Sequence, residues 1–267
     1  MKLIDLSLPI DASIPEPHPV TIKKWEHRGG GDRFGWRRAK SLGLKGILKH
    51  LTGRERINHE SFKDGVFLSL EWVTATGHTG THIDAPYHFG PLSEGKEAIK
   101  VEDIPLEWCF GNGVVLDVSH RKPADFITKD DIDKALAEIK YEIKPGDIVL
   151  LRTGVDKLWG KKEYFFAFPG LGREATGYIL EQGVKVIGID TFSLDRPLKA
   201  MVNDYLRTKD NGYLWPAHFY GREKEYCHLE RLANLDKLPP YGFKMACFPI
   251  KVKGVGATWV RAVAFIE

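Results

Sequence analysis

The sequence predicts an α/β domain with a mixed central β-sheet flanked by helices. Three apolar runs, at residues 113–118, 147–152 and 184–189, have the length and the β-branched content of buried strands. Helical patterns separate these runs, which is the order expected when strands of one sheet are joined by helices. With no repeat and no linker-like stretch, we expect one domain over residues 1–267.

The helix boundaries carry capping signals. Thr128, followed by Asp130 and Asp131, suits the N-terminus of a helix over residues 128–139, and Gly183 suits the end of one over 173–182. Less regular patterns predict further helices at 225–235 and, through Leu42, Ile47, Leu48 and Leu51, near residues 42–51. Further strands are predicted at residues 3–10, 66–73, 243–253 and 258–266.

Composition narrows the class of protein. The chain is 43% hydrophobic and 28% charged, as in globular proteins. Its three cysteines, Cys109, Cys227 and Cys247, are an odd number without a Cys-x-x-Cys pair, which favours core positions in a reducing compartment. Neither a signal peptide nor an apolar run of about 18 residues is present, so we expect a cytoplasmic protein without a membrane partner.

Charge is concentrated in one segment. Residues 23–56 hold eleven Lys and Arg against three acids, a net charge of +8 in a chain of +3. The wider region of about 23–65 is predicted to be a basic insertion that covers a pocket. The basic residues either form a surface that attracts an anion or a partner, or they only keep an exposed insertion in contact with solvent. Without a recognition motif we expect no nucleic-acid partner.

The chemistry is concentrated between Gly77 and Phe89. His78, His82 and Asp84 bring two imidazoles and a carboxylate together, the ligand types that Zn²⁺ and Mn²⁺ accept. The glycines, threonines and Pro86 oppose a regular helix, so we predict a turn and an extended segment after a strand. A hydrogen-bonded polar turn without metal is the alternative.

His88 follows His82 by six residues and is predicted to be a further ligand, a general acid/base or a packing residue. Asp190 and Asp195 follow a predicted buried strand and are candidates for supporting the site. His228 has no motif support. The remaining histidines are predicted to lie at the surface: His18, His27, His50, His59 and His120.

The run His78-x-Gly80-Thr81-His82-x-Asp84-x-Pro86-x-His88-Phe89 resembles the signature of the cyclase-like metal-dependent hydrolase family. That family includes bacterial kynurenine formamidase and isatin hydrolase. Four further blocks look like parts of the same family, at residues 5–7, 146–154, 188–195 and 229–235. Two features depart from it: residues 28–65 are longer than in a minimal kynurenine formamidase, and Arg231 stands where the family often has Asn.

The resemblance implies a swivelling β/β/α fold and a role for each site residue. His78, His82 and Asp84 match the first metal shell, and His88 matches the catalytic histidine. His218 and Glu230 match the positions that bind a second metal, with Asp84 bridging. From the residues alone, Glu230 is only an acid on the face of a predicted helix. The family also implies a homodimer or a larger homo-oligomer.

The reaction that the resemblance implies is hydrolysis of a small amide, lactam or lactone. One or two divalent ions, zinc or manganese, lower the pKa of bound water from 15.7 to about 7 and polarise the carbonyl. His88 is expected to take a proton from the water and to give one to the leaving nitrogen. A lyase or cyclase with the same metal is the nearest alternative, and a catalytically silent protein that binds a small acid is another. The aromatic residues Trp25, Phe34, Trp36 and Trp72 are candidate pocket walls for an aryl substrate or ordinary packing residues.

Overall fold

A computed structural model describes all 267 residues. The chain divides into two compact units, which are described separately: Met1–Glu16 together with Thr76–Glu267, and Pro17–Ala75. None of the helices combines the length and the apolar character that a membrane span requires.

Fifteen strands and seven α-helices make up the regular structure. The strands are β1 Lys2–Asp5, β2 Thr21–Trp25, β3 Leu70–Thr74, β4 His82–Asp84, β5 Leu92–Ser93, β6 Lys96–Glu97, β7 Phe110–Asp117, β8 Phe126–Ile127, β9 Ile148–Arg152, β10 Gly170–Leu171, β11 Val186–Ile189, β12 Cys227–Glu230, β13 Phe243–Ala246, β14 Ala257–Trp259 and β15 Val263–Ile266. The helices are α1 His27–Ser41, α2 Gly43–Leu51, α3 Pro86–Phe89, α4 Lys129–Ile139, α5 Arg173–Glu181, α6 Leu198–Thr208 and α7 Pro216–Tyr220.

Nine strands of the larger unit form one mixed sheet in the order β1-β15-β13-β7-β9-β11-β12-β4-β14. The four central strands β7, β9, β11 and β12 run parallel, and antiparallel strands extend the sheet on both sides. Helices α4 and α5 cover one face. The predicted α/β class and the three predicted central strands are therefore confirmed.

The central strands are buried on both faces, which explains their continuous apolar runs. Along β9, Ile148 and Leu150 join one core cluster, whereas Val149 and Leu151 join the other. The second cluster includes Ile132 from α4 and other residues from α5. All three cysteines are buried and unbonded to one another, as predicted for core positions.

The predicted helix boundaries at α4 and α5 are confirmed. The Thr128 backbone N–H donates to the Asp131 carboxylate at 2.7 Å, within a reciprocal capping box. Gly183, just beyond α5, has a φ of +84°, a left-handed conformation that glycine adopts without a steric cost.

The predicted helix over residues 225–235 is wrong, because Cys227–Glu230 forms strand β12. The apolar spacing of Tyr226, Leu229 and Leu232 imitates a helical period. All four residues of β12 are nevertheless buried between two neighbouring strands, where an apolar run has no alternation to reveal it. Glu230 therefore lies on a strand rather than on the face of a helix.

The smaller unit, Pro17–Ala75, contains the β2–β3 hairpin and helices α1 and α2. Helix α2 confirms the short predicted helix. Helix α1 was not predicted, because its four glycines disfavour helix formation. Close packing accounts for one of them: a Cβ on Gly35 would lie only 1.7 Å from the Ile57 carbonyl oxygen. The surface prediction for His50 is wrong, since its ring packs at 4.6 Å from that of Trp36 and only 5% of the residue is exposed.

Candidate metal centre

Two paired strands place four ligand-type side chains on one face of the sheet. In the antiparallel β4–β12 pair, His82 lies opposite Glu230 and Asp84 lies opposite His228. Side chains alternate along a strand, so positions two apart share a face, and directly opposed residues have Cβ atoms about 4.5–5.5 Å apart. The register of this one pair therefore assembles most of the centre.

A tight turn before β4 adds His78. Gly80 has a φ of +64°, and a Cβ on Gly77 would lie 2.5 Å from the Ala257 carbonyl oxygen, so both positions require glycine. The turn brings His78 Nδ1 to 3.3 Å from His82 Nε2 and to 3.1 Å from Asp84 Oδ1. The prediction of a turn followed by an extended segment is confirmed.

His218 reaches the same place from helix α7. Its Nδ1 donates to Asp195 Oδ2 at 2.6 Å, and Asp195 also accepts the backbone N–H groups of Ala217 and His218. His218 Nε2 then faces Asp84 Oδ2 at 4.0 Å and Glu230 Oε1 at 3.7 Å. A carboxylate behind an imidazole fixes the tautomer of a metal-binding histidine in this way.

The side chains form two donor groups that share one residue. We call His78, His82 and Asp84 the first donor group, and Asp84, His218, His228 and Glu230 the second. Within each group, the candidate ligand atoms lie within 4.8 Å of one another. Glu230 is fixed in position by the backbone N–H of Leu194, which donates to its Oε1 at 2.8 Å.

The shared residue Asp84 is completely buried, and neither carboxylate oxygen accepts a hydrogen bond. The 3.1 Å contact with His78 Nδ1 falls short of hydrogen-bond geometry. Leaving a buried polar group unsatisfied costs roughly 1–3 kcal/mol, and more for a charge. Buried charges in proteins are paired or coordinate metals. Imidazole and carboxylate donors suit zinc and manganese, so these residues fit a divalent metal.

The charges of the centre shift the pKa values of Asp84 and His218 so that both side chains favour their ionised forms. Burial opposes ionisation of Asp84, but the imidazoles of His78 and His82 hold its pKa well below the ordinary value. Burial likewise opposes a charge on His218, but Asp195, Glu230 and Asp84 together raise its pKa to about 9. Without metal, the centre therefore keeps its carboxylates ionised and attracts positive charge.

His88 lies beside the donor groups without joining either of them. Its ring centroid is 4.4 Å from that of His78 and 5.4 Å from that of His218, and the residue keeps an exposed face. Partial desolvation, with the positive charges of His218 and His78, lowers its pKa to about 4 against the attraction of Asp84. The imidazole is neutral at pH 7 and is able to accept a proton.

Comparison with known proteins identifies the family. The family model described as "Putative cyclase" matches residues 4–196. A kynurenine formamidase of Bacillus thuringiensis is 33% identical over 192 residues, covering 72% of this chain and 77% of the relative. The chain belongs to the cyclase family. An isatin hydrolase of Roseibium aggregatum is 27% identical over 212 residues, 76% of this chain and 77% of that protein.

Solved cyclase-family structures share the fold of this chain. An isatin hydrolase bound to the product analogue thioisatinate superposes with a TM-score of 0.73 at 22% identity, covering 100% of this chain and 92% of the other. Isatin hydrolase A from Ralstonia solanacearum gives a TM-score of 0.71 at 22% identity, with the same coverage. The fold that the resemblance implied is therefore confirmed.

All six predicted site residues of this cyclase-family chain converge in the structure: His78, His82, Asp84, His88, His218 and Glu230. Sequence reasoning set aside His228, which is fully buried in the second donor group. A signal was present, because His228-x-Glu230 repeats the two-residue spacing of His82-x-Asp84. The candidate supporting role of Asp195 agrees with its hydrogen bond to His218.

Arg231, where the family often has Asn, forms a buried ion pair. Its Nη1 atom lies 2.8 Å from Oε1 and 2.9 Å from Oε2 of Glu16, and both side chains are almost fully buried. The Arg231 carbonyl oxygen accepts a hydrogen bond from the Thr81 hydroxyl within the His/Asp motif. Arg231 thus ties the end of β12 to the turn that carries the first donor group.

Proposed function

We propose that this cyclase-family chain hydrolyses a small cyclic or aryl amide, such as a lactam or a formamide, at a metal centre. The fully buried Asp84 carboxylate, which accepts no hydrogen bond and is shared by two donor groups, carries this proposal. The relatives named isatin hydrolase and kynurenine formamidase support the substrate class.

In this proposal, His78, His82 and Asp84 hold one divalent ion, and Asp84, His218 and Glu230 belong to a second site. We propose zinc or manganese, because both accept imidazole and carboxylate ligands. When bound, a divalent metal supplies a Lewis acid for the substrate carbonyl and lowers the pKa of a coordinated water.

We assign proton transfer to His88. Its lowered pKa keeps the imidazole neutral near pH 7, so a ring nitrogen accepts a proton from the attacking water. The same nitrogen then returns a proton to the leaving nitrogen of the amide. The exposed face of His88 gives it access to a substrate, in contrast to the buried His82 and His218.

For the molecule as a whole, we propose one hydrolase domain, residues 1–267, with a basic insertion at about 23–65, acting in the cytoplasm as a homodimer or larger homo-oligomer. The smaller unit leaves large apolar side chains exposed: Leu44 by 86%, Leu68 by 75%, and Leu48 and Leu51 by 63% each. Leu44, Leu48 and Leu51 recur at the helical spacing of one face of α2, and an exposed apolar face of this kind supports association. Light scattering of the purified protein measures the oligomeric state, and a monomer would contradict this part of the proposal.

The test of the proposed reaction is hydrolysis of isatin and N-formylkynurenine by the metal-loaded protein, followed by absorbance. We expect turnover of at least one of them, or of another member of a lactam and formamide panel. If the protein binds metal but hydrolyses no member of this panel, the proposed function is wrong. Elimination or ring closure in the same assay would instead support the lyase or cyclase alternative.

A further inference from the structure

His228 is a buried histidine to which the proposed mechanism gives no task. It is 0% exposed, and its Nδ1 atom has no hydrogen-bond partner. Its other ring nitrogen, Nε2, lies 2.5 Å from the hydroxyl of Tyr226. An orphaned nitrogen at a fully buried position requires an explanation, because buried polar atoms are almost always paired.

The hydrogen-bond network fixes the tautomer of His228. The Tyr226 hydroxyl lies 2.6 Å from the carbonyl oxygen of Ala217, which is able only to accept, so the single hydroxyl proton is donated there. Tyr226 must then accept the hydrogen bond from His228, and the proton of the neutral imidazole resides on Nε2. Nδ1 therefore carries a lone pair, which faces Glu230 Oε1 at a distance of 3.7 Å.

The same arrangement holds the two neighbouring histidines. His82 donates from Nδ1 to the Gly80 carbonyl oxygen at 2.9 Å, and His218 donates from Nδ1 to Asp195. In each of them the second ring nitrogen faces the carboxylates of the centre. A hydrogen bond that anchors one nitrogen and presents the other is the usual support of a metal-binding histidine.

We propose that His228 Nδ1 is a fourth protein ligand, with Asp84, His218 and Glu230, of a divalent cation in the second donor group. This inference deepens the proposed metal centre and rests on it. Ligand bonds of about 2.0–2.2 Å in a tetrahedron separate the donor atoms by about 3.4 Å. Three of the six donor-atom separations are 3.7, 3.7 and 4.0 Å, and all six are at most 4.8 Å, so the donor atoms lie somewhat wider than a bound ion would hold them.

Four protein ligands would make the second site closed. Zinc sites with four protein ligands are structural, whereas catalytic sites have three and keep a position open. The first donor group offers three ligands and a partly exposed His78. We therefore assign the reaction to the ion of the first group. The second ion neutralises the negative charge of Asp84 and Glu230 and holds their carboxylates in position.

The experiment is calorimetric titration of the metal-free full-length protein with Zn²⁺ alone. The wild type is expected to bind two equivalents. His228→Gln is expected to retain the first equivalent and to bind the second at least about 100-fold more weakly, at or above the upper end of the loss seen for outer-shell partners. His18→Gln, an exposed histidine outside the centre, is the matched control and should bind like the wild type.

Two results of that titration would overturn the inference. One is two ions bound by His228→Gln with wild-type affinities. The other is a single ion in the wild type that the substitution leaves unchanged. Tyr226→Phe adds a graded check, since it keeps Nδ1 but removes the anchor of Nε2, and should weaken the second ion by about 10–100-fold.

A measurement on the unmutated protein covers the case in which His228→Gln does not fold. In ¹⁵N-histidine-labelled protein, the Nδ1 resonance of His228 should shift with the second equivalent of Zn²⁺, while Nε2 stays protonated. A protonated Nδ1, or an Nδ1 resonance unmoved through two equivalents, contradicts the assignment. Metal binding that follows these expectations without turnover on the amide panel would reject the proposed reaction only.

Discussion

The two donor groups that share Asp84 differ in their access to solvent. In the first group the side chain of His78 is 37% exposed, whereas in the second those of His218, His228 and Glu230 are at most 8% exposed. Hydrogen bonds also fix two histidines of the second group: Asp195 holds His218, and Tyr226 holds His228. Chemistry on a substrate needs an accessible face, and an enclosed set of ligands suits an ion that stays in place.

The groups also differ in how the chain builds them. The first lies within seven residues, on one turn and strand β4. The second requires the β4–β12 register and the placement of α7, so it depends on tertiary structure. A substitution of the shared residue Asp84 should therefore weaken metal binding by both groups. A substitution of a residue that supports the ligands of only one group should mainly weaken metal binding by that group.

The largest effect is expected from Asp84→Asn, which removes the shared carboxylate. Both ions should bind poorly, and turnover should fall by at least about 10⁴-fold, as when a central catalytic group is lost. Metal content and turnover measure the effect. The metal-free variant should unfold at a lower temperature than the metal-free wild type, because the lowered pKa of Asp84 means that the folded state favours the ionised carboxylate, which Asn lacks. Near-normal metal content would contradict the shared role of Asp84.

His88→Ala should separate chemistry from metal binding. Turnover is expected to fall by about 10²–10⁴-fold, the usual contribution of a general acid/base, while the metal content stays nearly intact. Elemental analysis beside the kinetic assay measures both quantities, and His18→Ala is the surface control. If the metal is lost together with activity, His88 is a ligand and its assignment to proton transfer is wrong.

Asp195→Asn tests the support of the second group, because Asp195 is the hydrogen-bond partner of the ligand His218. The amide cannot hold the His218 imidazole as the carboxylate does, so the affinity of the second ion should fall by about 10–100-fold. The affinity of the first ion should change far less, since His78 and His82 do not contact Asp195. Equal losses at both sites in a zinc titration would show that the two donor groups are not separable.

The smallest expected effect is the pH dependence of stability in the metal-free protein. The lowered pKa of His88, about 4, makes stability rise with pH between about 4 and the ordinary value of 6.5. The raised pKa of His218, about 9, gives stability that is present below 6.5 and lost as the pH rises through 9. Thermal unfolding across this range should show both slopes, and His218→Gln should flatten the alkaline one. No slope in the wild type above pH 6.5 would contradict the protonated His218.

The first donor group was readable in the sequence because its members are close together along the chain. Residue type and spacing alone identify His78, His82 and Asp84 as candidate ligands. His218 and Glu230 were identified as candidates only through the family resemblance. His228 was set aside because it has no motif support, and its pairing with Asp84 depends on the β4–β12 register, which the sequence does not show. The same buried strand was mistaken for a helix, since burial on both faces removes the alternation that marks a strand.

Elsewhere in the fold, too, features encoded by neighbouring residues were predicted, whereas features that depend on tertiary contacts were not. The capping box at Thr128 and Asp131 and the glycine stop at Gly183 are local devices, and both were predicted. Helix α1 was missed because its four glycines disfavour a helix, although one of them, Gly35, is needed for close packing against Ile57. Its stability comes from tertiary contacts that a propensity scale does not contain.

The central claim, metal-dependent amide hydrolysis at the centre around Asp84, is tested most directly by turnover measured against metal occupancy. The protein is stripped with a chelator, its metal content is determined, and zinc or manganese is returned in fractions of an equivalent. The proposal predicts no amide hydrolysis in the stripped protein and recovery in proportion to the ion bound, with Asp84→Asn recovering nothing. Full activity in protein shown to be metal-free would contradict it.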